Sequence, residues 1–154
     1  MYFLFGTFLW TFIEYMLHRF LFHFAEQKRA LGPVSRTAHF LFHGVHHAFP
    51  LDEKRLVFPV APAILFHPSL HFIFLTLFNM PRWGFTAGAG GVFGYVMYDC
   101  THYFIHHSKA DNGILNFLKR THNKHHFRNP VRGYGVTSPL WDYVFGTVIH
   151  DAKP

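Results

Sequence analysis

Hydrophobic and polar positions segregate along this chain into long blocks. Three mainly apolar stretches, roughly Tyr2–Phe22, Leu56–Phe78 and Phe85–Ile105, each approach the ~20 residues a helix needs to cross a bilayer. Residues 24–55 and 107–154 are instead dense in His, Lys and Arg. The pattern predicts an all-α chain, an integral membrane helical bundle with a helical cap, forming one domain over residues 1–154. The first span carries only Glu14, His18 and Arg19 as charged or imidazole groups. Asn79-Met80-Pro81-Arg82-Trp83-Gly84 is expected as the turn joining the last two spans. Pro59, Pro62 and Pro68 bend or break the start of the second span. Gly84, Gly88, Gly90, Gly91 and Gly94 let another helix approach the third.

The polar stretches predict shorter helices. Gly32-Pro33 breaks the chain, and Ser35 caps a helix through Thr37, His39 and Phe40 to His47 that ends before Phe49-Pro50. A second starts at Asn112-Gly113 and stops at Arg128-Asn129-Pro130. Ser138-Pro139 caps a short third one, whose Trp141, Val144 and Phe145 pack on the cap or lie at the membrane interface.

Composition sharpens this picture. Half of the residues are hydrophobic, 20% are aromatic and only 14% are charged, against about a quarter charged in soluble domains. Twelve of the fourteen Lys and Arg residues fall in the two polar stretches, with only Arg19 and Arg82 outside them. By the excess of basic residues on the inner side, the cap faces the cytosol, at the endoplasmic reticulum in a eukaryote or the inner membrane in a bacterium. The net charge of +6 follows from that topology and from contact with anionic lipids, so no nucleic-acid partner is expected. Cys100 is the sole cysteine, which excludes an internal disulfide and a cysteine zinc site. It is expected as a small apolar residue in a buried helix. The N-terminus lacks the basic region and cleavage site of a removed signal.

The candidate chemistry lies in histidine. Two H-x-x-H-H boxes, His43-Gly44-Val45-His46-His47 and His122-Asn123-Lys124-His125-His126, accompany the pairs His18/His23 and His102/His106. Residues three and four apart share a helix face, so each box is expected to aim three imidazoles at one small volume. His18 and His23, five apart, stand about 140° round an ideal helix; they grip one ion if the helix ends or deforms near His23, or serve different ions. Ten imidazoles are too many for one tetrahedral zinc. They suit two ions of higher coordination number, with room for a small molecule. Candidates to orient these ligands are Glu14, one turn before His18, and Tyr98 and Asp99, which border the face of His102 and His106. Which residues beyond the metal site take part in catalysis, the sequence leaves open. His39, His107 and His150 are expected outside the site, and His67 with His71 in polar packing. Asp142 reads as an ordinary first-turn helix acid, or as a further group behind a ligand.

These boxes, with their order and flanks, resemble the fatty acid hydroxylase superfamily, which includes sterol desaturases. His18-Arg19-Phe20-Leu21-Phe22-His23, Arg55-Leu56-Val57-Phe58-Pro59, Tyr98-Asp99-Cys100-Thr101-His102-Tyr103 and Pro139-Leu140-Trp141-Asp142-Tyr143 are similar to the fatty acid 2-hydroxylase branch. The resemblance covers nearly the whole chain. It implies a helical membrane domain whose cytosolic cap holds two metal ions, natively iron, with zinc also able to occupy such a site in purified material. It further implies O2- and electron-dependent hydroxylation at carbon 2 of a long-chain fatty acyl or ceramide-type lipid, in sphingolipid or other lipid synthesis. The ten histidines carry over as the metal ligands. No fused cytochrome b5 domain is expected in these residues, so a separate electron donor is, such as cytochrome b5 or ferredoxin with its reductase. Four spans are usual in the family, and three are evident here. Desaturation on the same two-metal site is the rival reaction. A membrane metal-binding or metal-transport protein is the rival of another class, but it calls for ligands along a transmembrane path.

Overall fold

The computed structural model describes residues 1–24, 32–56, 72, 76 and 81–150. All regular elements among them are helical. Helix α1, Tyr2–Met16, runs directly into a π-helical turn, Leu17–Phe22. Helix α2, Pro33–His39, continues through a second π-helical segment, Phe40–Gly44, into α3, Val45–Ala48. After a 3-10 turn at Glu53–Arg55 come α4, Pro81–His107, α5, Gly113–Phe127, and α6, Leu140–Val144.

Helices α1 and α4 form a stem, and their contact requires glycine. A Cβ on Gly6 would stand 1.8 Å from the Ala87 carbonyl oxygen, and one on Gly90 would stand 2.0 Å from that of Phe3. The two backbones therefore touch, and Thr7 Oγ1 donates across the seam to Gly90 O at 3.1 Å. Aromatic rings close its flanks, Tyr2 on Trp83 and Trp10 on Tyr95. The stem turns much of its apolar side-chain surface outward, including Phe5, Phe8, Phe85 and Phe93. Cys100 is exposed there rather than buried, because it lies on the side of α4 turned away from α1.

Two boundaries differ from the sequence expectation. The hairpin turn expected over 79–84 is already helical from Pro81, since proline fits the first helical position, where no N–H is required. The cap's first helix begins at Pro33, with Gly32 rather than Ser35 as its N-cap, for the same reason. The expected span 56–78 lies almost wholly outside the described residues. Among the described residues, no helix is both long and apolar enough to cross a membrane.

The cap sits at the end of the stem. Its small apolar core joins Ile105 of α4, Leu118 of α5 and Val136 of the following loop. The C-terminal segment folds back on α1. Trp141 Nε1 donates to Thr11 Oγ1 at 3.0 Å, and the Tyr15 and Thr147 hydroxyls meet at 2.8 Å. The rest of the cap's interior is polar.

Candidate metal centre

All ten histidines of the four clusters converge in that interior, in two groups of five. His18, His23, His43, His47 and His125 form one group; His46, His102, His106, His122 and His126 form the other. Within each group the candidate ligand atoms all lie within 4.8 Å of one another. The H-x-x-H-H boxes do not each serve one volume, contrary to the sequence expectation. The i, i+4 pair of a box serves one group and its middle histidine the other, because position i+3 sits on the far edge of the shared face. His43 and His47 thus join the first group while His46 crosses to the second. His122 and His126 join the second while His125 crosses to the first.

The π-helical turn explains how His18 and His23 meet. Its backbone bonds run from i to i+5, and the His23 N–H donates to His18 O at 3.1 Å. Residues five apart then stack on one face, and the two Nε2 atoms stand 3.1 Å apart. An ordinary α-helix would have sent these rings in different directions.

The spacing of the nitrogens tests whether a metal fits. Two ligands at right angles, each about 2.1 Å from an ion, stand ~3.0 Å apart, whereas a tetrahedral pair stands ~3.4 Å apart. In the first group the Nε2 separations are 3.1 Å for His18–His43, 3.0 Å for His43–His47 and 3.0 Å for His23–His125. In the second, His102, His106 and His122 form a triangle of 3.0, 3.2 and 3.0 Å. Hydrogen bonding cannot satisfy that triangle. Each Nε2 carries either a proton or a lone pair, so at least two of the three are alike and repel. A cation among three lone pairs removes the conflict. Both groups therefore fit a metal with more than four coordination positions.

Burial and crowding keep these rings neutral, which metal ligation requires. Burial first, then His106 nearby, pulls His46 down to about 3. Burial, then His107 and Lys119, pulls His106 down to about 4. His43, His47, His122 and His126 are lowered further by burial and by neighbouring imidazoles.

The loop after α5 fixes two of the rings. His18 Nδ1 donates to Tyr134 O, and His125 Nδ1 donates to Arg132 O at 2.7 Å. A proton on Nδ1 leaves the Nε2 lone pair free for a metal. This loop is itself held from two sides. Asp142 accepts from the Tyr134 and Gly135 N–H groups and from the Thr147 hydroxyl. Burial raises its carboxyl above the usual range, and those three bonds oppose the rise. Glu14 accepts from the Val136 and Thr137 N–H groups at 2.8 and 3.0 Å and from the Thr137 hydroxyl.

Of the expected orienting groups, Glu14 therefore bonds to the loop and not to His18, since the loop's N–H groups reach its carboxylate first. Tyr98 packs its ring 5.6 Å from that of His102. Asp99 accepts from the Tyr95 hydroxyl rather than from a cluster histidine. Asp142, the acid sequence reasoning favoured as incidental, is fully buried behind the ligand-holding loop. The backbone carbonyls of Arg132 and Tyr134 escaped sequence reasoning entirely; the only signal was the Gly133-Tyr134-Gly135 string. His39 belongs to neither group, with its ring 6.5 Å from that of His23. His107 Nδ1 donates to Tyr103 O instead, and His150 is exposed. His67 and His71 lie outside the described residues.

Comparison with known proteins places the chain in a family. Residues 3–147 match the sequence profile of the family described as fatty acid hydroxylase. The chain is similar to dihydroceramide fatty acyl 2-hydroxylase FAH1 of Arabidopsis thaliana, at 46% identity over 93% of this chain and 58% of the relative. It is similar to fatty acid 2-hydroxylase of Homo sapiens, at 43% identity over 95% of this chain and 39% of the relative. A solved structure of full-length scs7p, in which only the hydroxylase domain is visible, superposes with a TM-score of 0.88 at 42% identity, covering 97% of this chain and 55% of that one. The chain thus spans about 40–60% of the length of the curated relatives it matches.

Proposed function

The chain belongs to the fatty acid hydroxylase family, and we propose from that premise that it is the catalytic part of a membrane-bound diiron oxygenase. It hydroxylates carbon 2 of a long-chain fatty acyl group, free or in a ceramide-type lipid. In the net reaction O2, two electrons and two protons convert the C2–H bond to C2–OH and release one water. The observation that carries this reading is the pair of five-histidine groups with Nε2 atoms about 3 Å apart.

His18, His23, His43, His47 and His125 hold one ion, and His46, His102, His106, His122 and His126 hold the other. Iron at these positions supplies the activation of O2 that no amino-acid side chain can provide. All-imidazole ligation, rather than thiolate, suits iron of this kind. The chain supplies position and dryness. The Tyr134 and Arg132 carbonyls hold the His18 and His125 rings in the ligating tautomer. Glu14 and Asp142 hold those carbonyls in place across the gap between α1 and the loop. The stacking of Phe22 on His43, with centroids 5.2 Å apart, keeps water from the first group. The outward apolar surface of α1 and α4 favours residence in a bilayer along the spans 2–22 and 85–105, with the basic cap in the cytosol. Electrons come from a donor such as cytochrome b5 or a ferredoxin.

The test is lipid mass spectrometry on membranes that express the chain with an electron-donor system, beside a His125→Ala/His126→Ala control. The expected product is heavier by one oxygen at carbon 2 and absent from the control. An unsaturated product would move the assignment to desaturation. Metal uptake into vesicles without any lipid product would move it to transport.

A further inference from the structure

The two histidine groups differ in what borders them. A cavity of about 690 Å³ is lined by Phe49, Leu51, Ile105, Lys119, Asn123 and Phe127, among others, and His106 of the second group forms part of its wall. Its size lies in the range of small-molecule sites, ~300–1,000 Å³. A second cavity, of about 360 Å³, is lined by Arg128, Arg132 and His150, among others, and touches no histidine of either group. The first cavity is apolar apart from a few groups. Asp52 is tied to Arg55 at 2.7 Å, and the Lys119 ammonium is tied to Ser108 O. The Asn123 amide, half-buried, makes no hydrogen bond to any described residue.

Helix register relates these groups to the metal position. Lys119 and Asn123 are four apart on α5, and so are His122 and His126. The two pairs lie on adjoining rows of one helix, offset by less than one turn of ~5.4 Å. Oxidation at carbon 2 imposes a matching demand, because that carbon is a single bond of ~1.5 Å from the carbonyl carbon. Selectivity for it requires the head to be held beside the metal, and a grip on the far end of the tail would not discriminate carbon 2 from carbon 3.

We propose that this cavity receives the acyl substrate, that Lys119 and Asn123 donate to its carbonyl or carboxylate oxygen, and that carbon 2 thereby meets the ion of His46, His102, His106, His122 and His126. Phe49, Leu51, Ile105 and Phe127 take the first methylenes of the tail. The ion of the other group, enclosed by Phe22 and the loop at Arg132–Tyr134, is not reached by substrate. The inference rests on the hydroxylase reading.

The test uses the full chain loaded with zinc, which is redox-inert, so that binding is read without turnover. A Phe49→Trp substitution provides a fluorescent reporter, and palmitate, N-palmitoyl sphinganine and 1-hexadecanol are the probes. Lys119→Met and Asn123→Leu are each expected to weaken the acyl probe that binds the parent by at least tenfold, with little change for the alcohol. Preference for palmitate identifies a free carboxylate as the ligand, and preference for the ceramide an amide carbonyl; either outcome with that loss supports the site. Asn123→Leu breaks no bond to a described residue, so it stands even if Lys119→Met misfolds. In iron-loaded protein with an electron donor, both variants are expected to spread the hydroxyl from carbon 2 to carbon 3 and beyond. Unchanged acyl affinity and undiminished carbon-2 selectivity in both variants would overturn the proposal while leaving the hydroxylase reading intact. Failure of the parent chain to bind or oxidise any acyl lipid, with its metals in place, would overturn that reading itself.

Discussion

The stem and the cap of this molecule are built on opposite plans. The α1–α4 stem turns apolar rings outward and joins through bare backbone at Gly6 and Gly90. The cap turns its imidazoles inward and buries eight of the ten cluster residues, with His23 and His125 at 0% exposure and His47 and His126 half-buried. A stem of this kind draws no hydrophobic stabilisation from water unless something apolar surrounds it. A cap of this kind gains little from apolar burial, and burying so many imidazoles costs free energy unless each finds a partner. One chain therefore carries two contrasting surfaces, apolar and outward at one end, imidazole-lined and inward at the other.

Removing the metals is the harshest way to break that contrast. Structural metal sites contribute about 10–16 kcal/mol of folding free energy. Chelation is expected to bring the cap's thermal transition far down in temperature while the helical signal of the stem persists in detergent. Simultaneous loss of both, followed by circular dichroism, would dissolve the distinction. On the stem side, Gly6→Val forces a Cβ into the Ala87 carbonyl, and overpacking of this kind costs about 1–3 kcal/mol or more. The expected result is reduced yield of folded protein, with metal content per folded chain unchanged by elemental analysis.

Glu14 connects the two regions, and Glu14→Leu leaves the Val136 and Thr137 N–H groups without their partner. Each unsatisfied buried group costs about 1–3 kcal/mol. The expected signature is a lower Tm together with weaker metal retention at the first histidine group, because Tyr134 O loses its support.

Acidity strikes the cap. His46 and His106 titrate in the folded state at about 3 and about 4, below the unfolded value of ~6.5. As pH falls below ~6.5, the unfolded chain takes up protons that the folded chain refuses. The stability these two rings contribute is thus complete above that pH and is lost progressively down to about 4 and about 3, by ~1.4 kcal/mol per pH unit and ring. Denaturant titration of metal-free protein between pH 7 and pH 4 checks this, and a flat profile would contradict it. The mildest perturbation is Thr147→Val, which removes the hydroxyl shared with Asp142 and Tyr15. It is expected to cost about 1 kcal/mol, read as a small fall in Tm.

The sequence was sufficient to determine the helical class, the start of α1, the end of α3 and both ends of α5, and the identity of the ten clustered histidines. These follow from local rules: residues at helical spacing share a face, proline and glycine punctuate helices, and imidazoles gathered in four boxes have few other uses. Tertiary structure decided how those histidines divide. Nothing local required His46 and His125 to leave their own boxes, or a π turn to bring His18 onto His23; those choices satisfy the packing of three helices around two centres at once. It also decided that Glu14 and Asp142 brace a loop whose two carbonyls orient His18 and His125. Backbone carbonyls are the same at every position in a sequence, so only the folded chain selects the two that matter.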